Sequence, residues 1–252
     1  MNILAFETSA KPVSVALLTG EGCVVAAEFE NAGLTHSVTL MPMAERVLRA
    51  AGLTVADVDC FAVAAGPGSF TGLRIGAGTV KGLAWAAEKP CAAVSTLLAM
   101  AELHPGFDGI VCCAMDARRS QVYTACFDTA DGTVNRLSPD AALGLAELAE
   151  HLQAFARPIL LVGDGAALAA EYLAEHAPGL SVTVPEDEER FQRADGVALA
   201  AWRAQSGGAA DGVSITDANG LTLNYLRLAQ AEREKREREA KLAAEKGDGN
   251  HA

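Results

Sequence analysis

The most informative stretch of the chain is Gly66-Pro67-Gly68-Ser69-Phe70-Thr71-Gly72, a glycine-rich turn between two apolar segments. Residues 60–65 have the length and continuous hydrophobicity of a buried strand, and residues 69–87 have the pattern of a helix. A strand, a turn and a helix N-terminus leave unpaired backbone amides that point outward and attract anions. Because no P-loop Lys-Ser/Thr follows, the chemistry alone favours a tight turn capped by Ser69, and an anion site is the alternative.

The helix predicted over residues 69–87 carries little charge. Its charged residues, Arg74 and Lys81, are seven positions apart and therefore share one narrow stripe. A helix on the outside of a monomer usually has a broad polar face, so this pattern predicts a helix covered nearly all round. Two G-x-x-x-G spacings would let another helix approach closely, although each glycine costs about 0.5–1 kcal/mol relative to Ala; they are formed by Gly72, Gly76, Gly78 and Gly82. The helix therefore either packs inside its own subunit or also contributes to a subunit interface.

The segments before this turn predict three strands and a helix. Apolar runs place the strands at residues 2–7, 14–18 and 23–29, with a hairpin turn at Gly20-Glu21-Gly22. A helical stripe of apolar residues covers residues 36–51, and Thr35 is the predicted N-cap. Pro42 then either kinks this helix or marks its true first turn.

The second half of the chain repeats this order. Glu7 and Asp116 hold matching places at the ends of the first strands, and Gly66-Pro67-Gly68 matches Gly163-Asp164-Gly165. Three antiparallel strands followed by helix, strand and helix, made twice, indicate an α/β duplication. The predicted strands of this half are residues 110–115, 121–127, 133–137 and 159–162, and the predicted helices are residues 143–155 and a segment ending at residue 176.

The duplication predicts the two-lobed architecture of the actin, sugar-kinase and Hsp70 group (ASKHA), in which each lobe is RNase H-like and has a mixed sheet flanked by helices. We expect the first lobe, which would dock a partner, at residues 1–104 and the second at residues 105–228. A helix at residues 195–205 and a segment at residues 221–228 are expected to pack back onto the fold and complete its packing. Residues 229–252 form a charged tail whose Glu and Arg or Lys pairs at i, i+4 favour an exposed helix.

Composition and charge limit the classes of function. The chain has 252 residues and a formal net charge of -12, so it should repel a phosphate backbone, and autonomous nucleic-acid binding is not expected. Its six cysteines form no C-x-x-C pair and lie mostly in apolar runs, which favours a reducing compartment. No signal peptide or membrane span is visible, so we expect a cytoplasmic protein without membrane contact.

Few residues are candidates for chemistry. In two-lobed ATPases an Asp at the end of each first strand holds metal and phosphate, and Glu7 and Asp116 stand at those places here. Arg118 could simply pair with Asp116, which is the commoner case for a surface acid. The candidate nucleotide or anion site consists of Glu7, Gly66, Gly68, Ser69, Thr71, Asp116 and Arg118.

His36 begins the first predicted helix, and Leu40 stands four positions later, where a metal-binding helix would carry a second histidine. A lone histidine favours a capping or hydrogen-bonding role over a metal ligand. No Ser-His-Asp set and no G-x-S-x-G elbow is present. We therefore expect no catalytic residue and no metal site.

Four blocks of sequence carry a family resemblance. They are Ile3-Leu-Ala-Phe-Glu-Thr-Ser9 with Ser14-Val-Ala-Leu17; Gly66-Pro-Gly-Ser-Phe-Thr-Gly-Leu-Arg-Ile-Gly76; Met115-Asp-Ala-Arg118 with Val122-Tyr123; and Asn224-Tyr-Leu-Arg227. The second block is highly specific. Through these blocks residues 1–228 resemble the TsaB (YeaZ) family, whereas the charged tail departs from the short ending of that family.

The resemblance implies a role in making N6-threonylcarbamoyladenosine beside the anticodon of tRNAs that read codons starting with A. In that family TsaB pairs with its paralogue TsaD, which binds metal and transfers the threonylcarbamoyl group, and the ATPase TsaE joins the pair. TsaD-like enzymes carry His-x-x-x-His on the first helix, and here only His36 matches. The resemblance therefore implies a non-catalytic scaffold without a cofactor of its own, with ATP entering at the level of the complex and tRNA bound only through the complex.

The resemblance also implies that the first two helices dock against TsaD, and the same face is expected to form a homodimer when the chain is alone. The expected interface residues are His36, Thr39, Leu40, Met43, Leu73, Arg74, Gly76, Ala77, Gly78, Val80, Lys81 and Gly82. Gly78→Leu or Val80→Glu is expected to weaken the TsaD contact.

Two alternative functions stay open. The first is an independent ATP-dependent sugar or acyl kinase of the same fold, which would need Glu7 and Asp116 as an interlobe acid pair. The second is a metalloprotease-like enzyme, against which the missing second histidine argues.

Overall fold

The computed structural model describes residues 1–33, 35–208 and 211–227 and contains two mixed β-sheets flanked by helices. The first half of the chain forms β1 (Ile3–Glu7), β2 (Val13–Thr19), β3 (Cys23–Glu30), α1 (His36–Ala50), β4 (Cys60–Gly66), α2 (Phe70–Ala87), β5 (Cys91–Ser95) and α3 (Thr96–Ala101). The second half forms β6 (Ile110–Asp116), β7 (Gln121–Asp128), β8 (Asn135–Arg136), β9 (Ala141–Gly144), α4 (Leu145–Gln153), β10 (Ile159–Val162), α5 (Ala166–His176), β11 (Val182–Thr183), α6 (Asp187–Arg190), α7 (Ala194–Gln205) and β12 (Val213–Thr216).

The two sheets have equivalent strand orders. The first runs β12-β5-β4-β1-β2-β3 and the second runs β11-β10-β6-β7-β8. In each, an antiparallel meander begins with a central strand, and that strand pairs in parallel with the strand that follows the first helix of its half: β1 with β4, and β6 with β10. The predicted α/β duplication is therefore confirmed.

Most predicted elements lie within two residues of their observed bounds, but the third strand of the second half is wrong in extent. Residues 133–137 contain only the two-residue β8, and β9 pairs with β7 over a longer stretch, from Gln121↔Gly144 to Thr124↔Ala141. The following helix accordingly begins at Leu145 and not at residue 143. Pro42 lies inside α1, and Thr35 is its N-cap position without a side-chain hydrogen bond.

The sequence patterns did not predict β5, α3 or β12. Residues 91–101 form one nearly continuous buried run in which strand passes directly into helix. Ser95 is the N-cap of α3, and its hydroxyl accepts a hydrogen bond from the Leu98 amide at 3.3 Å. Because no glycine or proline separates the two elements, the pattern offered no boundary.

Within the described residues, buried hydrophobic side chains form three cores. One lies under α1 and α2 on the outer face of the first sheet, and another lies under α4 and α5 on the second sheet. The third core is shared, because it contains residues of both sheets and α3 contacts β4 and β5 of the first sheet as well as β6 and β7 of the second. α7 contacts β1, β2 and β4, so this late helix lies against the first sheet.

The chain also returns to the first sheet after α7. β12 pairs antiparallel with β5 at the sheet edge, and the Asn224 amide donates to the Ala65 carbonyl at 2.7 Å. Leu228 and the charged tail predicted at residues 229–252 lie outside the described residues. None of the helices in the described part of the chain combines the length and hydrophobicity that a membrane crossing requires.

Candidate interlobe cleft and docking surface

A cleft of about 460 Å³ lies between the two lobes, at the carboxyl ends of β1 and β6. The first lobe contributes the chain after β1 and the N-terminus of α2, and the second contributes the chain after β6 together with the turn after β10. The residues lining it include Ser9, Lys11, Gly68, Ser69, Phe70, Asp116, Arg118, Tyr123, Asp164, Tyr225 and Arg227. Carboxyl ends of strands are the usual position of ligand sites in α/β sheets.

The structure brings only part of the predicted nucleotide or anion site together. Gly68, Ser69, Asp116 and Arg118 line the cleft, whereas Glu7, Gly66 and Thr71 do not. Glu7, Gly66 and Thr71 lie outside the cleft for three different physical reasons.

Glu7 is 1% exposed, and its Oε1 accepts a hydrogen bond from the Ser9 amide at 2.5 Å, so its carboxyl group turns back into the fold. Gly66 has φ +118° and presses against the backbone of Asn224, where a Cβ would collide with the Asn224 carbonyl oxygen. Thr71 lies on the exposed side of the first turn of α2.

Burial controls the charge near the floor of the cleft. Burial, helped by the neighbouring Asp164 carboxylate, raises the pKa of Glu7 to about 7 against the opposing hydrogen bonds from Ser9. Burial likewise raises the pKa of Asp164, although its Oδ1 accepts a hydrogen bond from Gln192 Nε2 at 2.8 Å. Both carboxyl groups are therefore easier to protonate than a glutamate or aspartate in water.

Asp116, the second predicted interlobe acid, is engaged by its own loop. Its Oδ1 accepts from the Arg118 amide at 2.7 Å, and its Oδ2 pairs with Arg118 Nη1 at 3.1 Å. With Glu7 turned inward and Asp116 paired, these residues do not fit a metal-bound nucleotide held by two facing acids. In the described ranges, no group of three or more His, Cys, Asp and Glu side chains is placed to hold a metal ion.

The start of α2 is a capped, tightly packed turn. The Ser69 hydroxyl accepts from the Gly72 amide at 3.2 Å, and the Ser69 amide donates to the Ser9 carbonyl at 2.6 Å. The Thr8 hydroxyl donates to the Gly72 carbonyl at 2.8 Å. A Cβ on Gly72 or Gly76 would collide with Thr8, so these two glycines allow α2 to approach the end of β1.

The opposite side of α2 is open. An added Cβ on Gly78 or Gly82 would meet nothing within 4 Å, and Trp85 is 75% exposed. The neighbouring helix α1 exposes Val38 (69%) and Met41 (37%). We call the residues Val38, Met41, Arg74, Gly78, Gly82 and Trp85 the docking surface. Two interpretations of α2 were left open, packing within the subunit alone or packing together with a subunit interface, and the uncovered face of α2 favours the second.

The predicted interface residues divide by burial. Six lie in the core beneath the two helices or against Thr8, where they have little surface to offer a partner: Leu40, Met43, Leu73, Gly76, Ala77 and Val80. The accessible or partly accessible ones are His36, Thr39, Arg74, Gly78, Lys81 and Gly82. Val38, Met41 and Trp85 were missed, although a signal existed: Val38 and Met41 are three positions apart, and Trp85 is three after Gly82.

His36 has the hydrogen-bonding role that was predicted. Its Nε2 donates to the Lys11 carbonyl oxygen at 3.1 Å. Leu40, at the position of the second histidine in TsaD-like helices, is 1% exposed and belongs to the core under α1.

Two sheets of equivalent strand order around one cleft define a two-lobed protein of the ASKHA fold. Residues 28–201 match the family model described as TsaD, tRNA N6-adenosine threonylcarbamoyltransferase. The chain is 33% identical over 232 residues to the tRNA threonylcarbamoyladenosine biosynthesis protein TsaB of Bacillus subtilis, an alignment that covers 92% of this chain and 96% of that protein. It is 36% identical over 168 residues to TsaB of Escherichia coli, covering 66% of this chain and 72% of that protein.

Among solved structures, YeaZ from Pseudomonas aeruginosa superposes with a TM-score of 0.73 at 29% identity, covering 89% of this chain and 99% of that chain. The chain therefore belongs to the TsaB (YeaZ) family. The resemblance found in the four sequence blocks is confirmed, and the TsaD match fits a paralogous relation.

Proposed function

We propose that this chain is a non-catalytic subunit in the biosynthesis of N6-threonylcarbamoyladenosine in tRNA and that it acts by pairing with TsaD. The observation that carries the proposal is the nearly full-length relation to the TsaB protein of Bacillus subtilis, whose name assigns it to that biosynthesis. The match of residues 28–201 to the TsaD family supports a partner of similar fold.

Three features of the site support a scaffold rather than an enzyme. Leu40 occupies a core position where a metal-binding helix would need histidine. Glu7 turns away from the cleft, and Asp116 is held by Arg118. These features, with the names of the relatives, favour the scaffold over an independent ATP-dependent kinase.

The docking surface is the contact that we propose for TsaD. Its glycines let a partner helix approach closely, and each large apolar side chain buried there would contribute about 1.5–3 kcal/mol. In the absence of TsaD the same surface would join two copies of the chain as a homodimer. TsaE would be recruited to the heterodimer, and ATP would act at that level.

The charge of the chain supports indirect contact with tRNA. A formal net charge of -12 opposes binding to a phosphate backbone, so tRNA would be bound through the complex. The cysteines of the described residues are free, and five of the six are buried, which suits the reducing cytoplasm that we propose as the site of action.

Co-expression with untagged TsaD, followed by co-purification and light scattering, tests the proposal. The parent chain is expected to elute as a heterodimer, and Gly78→Leu to weaken the complex about tenfold or more, because a side chain forced into a packed contact costs about 1–3 kcal/mol. Gly179→Leu is the matched control, since Gly179 is an exposed loop glycine of the second lobe with nothing within 4 Å of an added Cβ. Equal binding of parent, Gly78→Leu and Gly179→Leu would show that this surface is not the interface.

Calorimetry of the isolated chain with ATP and magnesium tests the kinase alternative. We expect no hydrolysis or transfer of the ATP phosphate by the isolated chain. Micromolar binding together with turnover would favour the kinase and contradict the scaffold.

A further inference from the structure

Residues 225–227 line the interlobe cleft, and residues 224–227 contact both lobes. The Asn224 amide donates to the Ala65 carbonyl at 2.7 Å, at the end of β4 in the first lobe. Arg227 Nη1 donates to the Ala117 carbonyl at 2.8 Å, directly after β6 in the second lobe. This short segment therefore connects the two lobes through hydrogen bonds on either side of the cleft.

The middle of the segment is anchored on α2. The Tyr225 ring lies 5.0 Å from the Phe70 ring, and its hydroxyl accepts a hydrogen bond from Arg74 Nε at 3.2 Å. The Arg74 guanidinium carbon lies 3.8 Å from the centre of the Phe70 ring. Aromatic and cation–π contacts of this kind contribute about 0.5–1.5 kcal/mol each, so the three side chains form a stabilised stack at the start of the helix.

The segment is fitted closely to the first lobe and lines two cavities. Gly66 provides the room that the Asn224 carbonyl occupies. Tyr225 and Arg227 line the cleft of about 460 Å³, whereas Asn224 lines a separate cavity of about 420 Å³ beside Ser95 and Asp140. The segment thus contributes side chains or backbone to the walls of both cavities.

We propose that residues 224–227 act as a latch that closes the open side of the cleft and holds the start of α2 against the second lobe. The lobes are joined elsewhere by the shared core around α3 and α7, about which they could swing once the latch is released. A second part of the proposal rests on the proposed function: because Arg74 belongs to the docking surface, the latch also orders that surface before TsaD binds, which lowers the entropy cost of binding.

The latch is tested in the free chain by a distance measurement between spin labels on the two lobes. One label is attached to Cys23, the exposed cysteine on β3, and the other to Glu150→Cys on the exposed side of α4; the remaining cysteines are buried. Arg227→Ala and, as a second variant, Tyr225→Ala are expected to broaden the distance distribution and shift it to longer distances.

Arg46→Ala is the control for this measurement, because it removes a surface ion pair with Glu28, at 2.6 Å, that lies entirely within the first lobe. It should leave the distribution unchanged. If both latch variants are folded, as judged by circular dichroism, and give the distribution of the parent chain, the latch does not exist.

Binding of TsaD to the same variants tests the second part. Arg227→Ala is expected to weaken the complex several-fold although Arg227 lies outside the docking surface, and Arg46→Ala is expected to bind like the parent. A broadened distance distribution with unchanged TsaD affinity would overturn the ordering role and leave the latch standing. If the parent chain itself does not bind TsaD, the proposed function fails, and the label distances alone decide the latch.

Discussion

Glu7 is a buried carboxyl group at the end of β1, close to the cleft but not open to it. Burial raises its pKa to about 7, from an ordinary value of 4.5. Between these two values the folded chain holds a proton that the unfolded chain has lost, so the stability of the fold decreases as the pH rises through this window. Above it, the carboxylate is a buried charge with one oxygen, Oε2, lacking a hydrogen-bond partner.

Glu7→Gln is therefore expected to stabilise the chain at about pH 8, by about 1–3 kcal/mol, and to have much less effect at about pH 4.5. The glutamine carbonyl can still accept the hydrogen bond from the Ser9 amide. Thermal unfolding across this pH range measures the difference between variant and parent. Glu150→Gln, on the exposed side of α4, is the control and should show no such trend. A Glu7→Gln difference that is constant with pH would contradict the assigned titration.

At the level of the secondary-structure element, α2 is one helix with two different kinds of glycine. Gly72 and Gly76 are buried against Thr8, whereas Gly78 and Gly82 face open space. The two G-x-x-x-G spacings look equivalent in the sequence, but one serves packing within the chain and the other leaves an open surface. Helical periodicity separates the two pairs because Gly76 and Gly78 are about 200° apart around the axis.

The difference between buried and exposed faces predicts different results for the same Val→Glu substitution on α2 and on α1. Val80→Glu would bury a charge in the core beneath α2, where Val80 is 0% exposed, and should destabilise the fold by several kcal/mol. Val38→Glu changes a side chain that is 69% exposed, so the chain should fold normally but lose TsaD binding. Chemical denaturation measures the first effect and co-purification the second. Normal stability of Val80→Glu, or normal TsaD binding of Val38→Glu, would contradict this assignment of the two faces.

At the scale of the whole molecule, the two lobes are joined by polar contacts as well as by the shared core. These polar contacts lie beside the cavity that Asn224 lines. Arg136 and Asp140 of the second lobe form an ion pair at 2.6 Å with both side chains nearly buried. The Ser95 hydroxyl of the first lobe donates to Asp140 at 2.8 Å. The pair therefore connects the end of β5 to the link between β8 and β9. Its loss should lower the stability of both lobes.

Arg136→Met is expected to lower the free energy of unfolding by about 3–5 kcal/mol, because it leaves Asp140 buried without its counter-charge. The double variant Arg136→Met/Asp140→Asn should recover part of that loss, since the amide is neutral and its oxygen can still accept from Ser95. Urea denaturation followed by circular dichroism gives both values. A double variant no more stable than the single one would show that the cost comes from lost packing of Arg136 against Phe127 and not from the isolated charge.

The elements and their repetition could be predicted because they depend on local patterns. Apolar periodicity located β1 to β4, α1 and α2, and their counterparts in the second half, and the two glycine-rich turns marked equivalent strand-to-helix junctions. Gly66 and Gly163 both have φ above +100°, a region that favours glycine. The glycines in the sequence therefore predicted the two turns. The family resemblance came from the same blocks.

The direction of side chains and the long-range packing depended on the folded molecule. Glu7 was expected in the cleft, and Leu40 and Val80 were expected at the interface. The structure buries all three side chains, because burial depends on residues far away in the chain. The run through β5 and α3 offered no local boundary, and the latch joins Asn224 and Arg227 to carbonyls more than a hundred residues earlier. Periodicity reports which residues avoid water, whereas only the packing of distant segments determines what covers them and which face stays open for a partner.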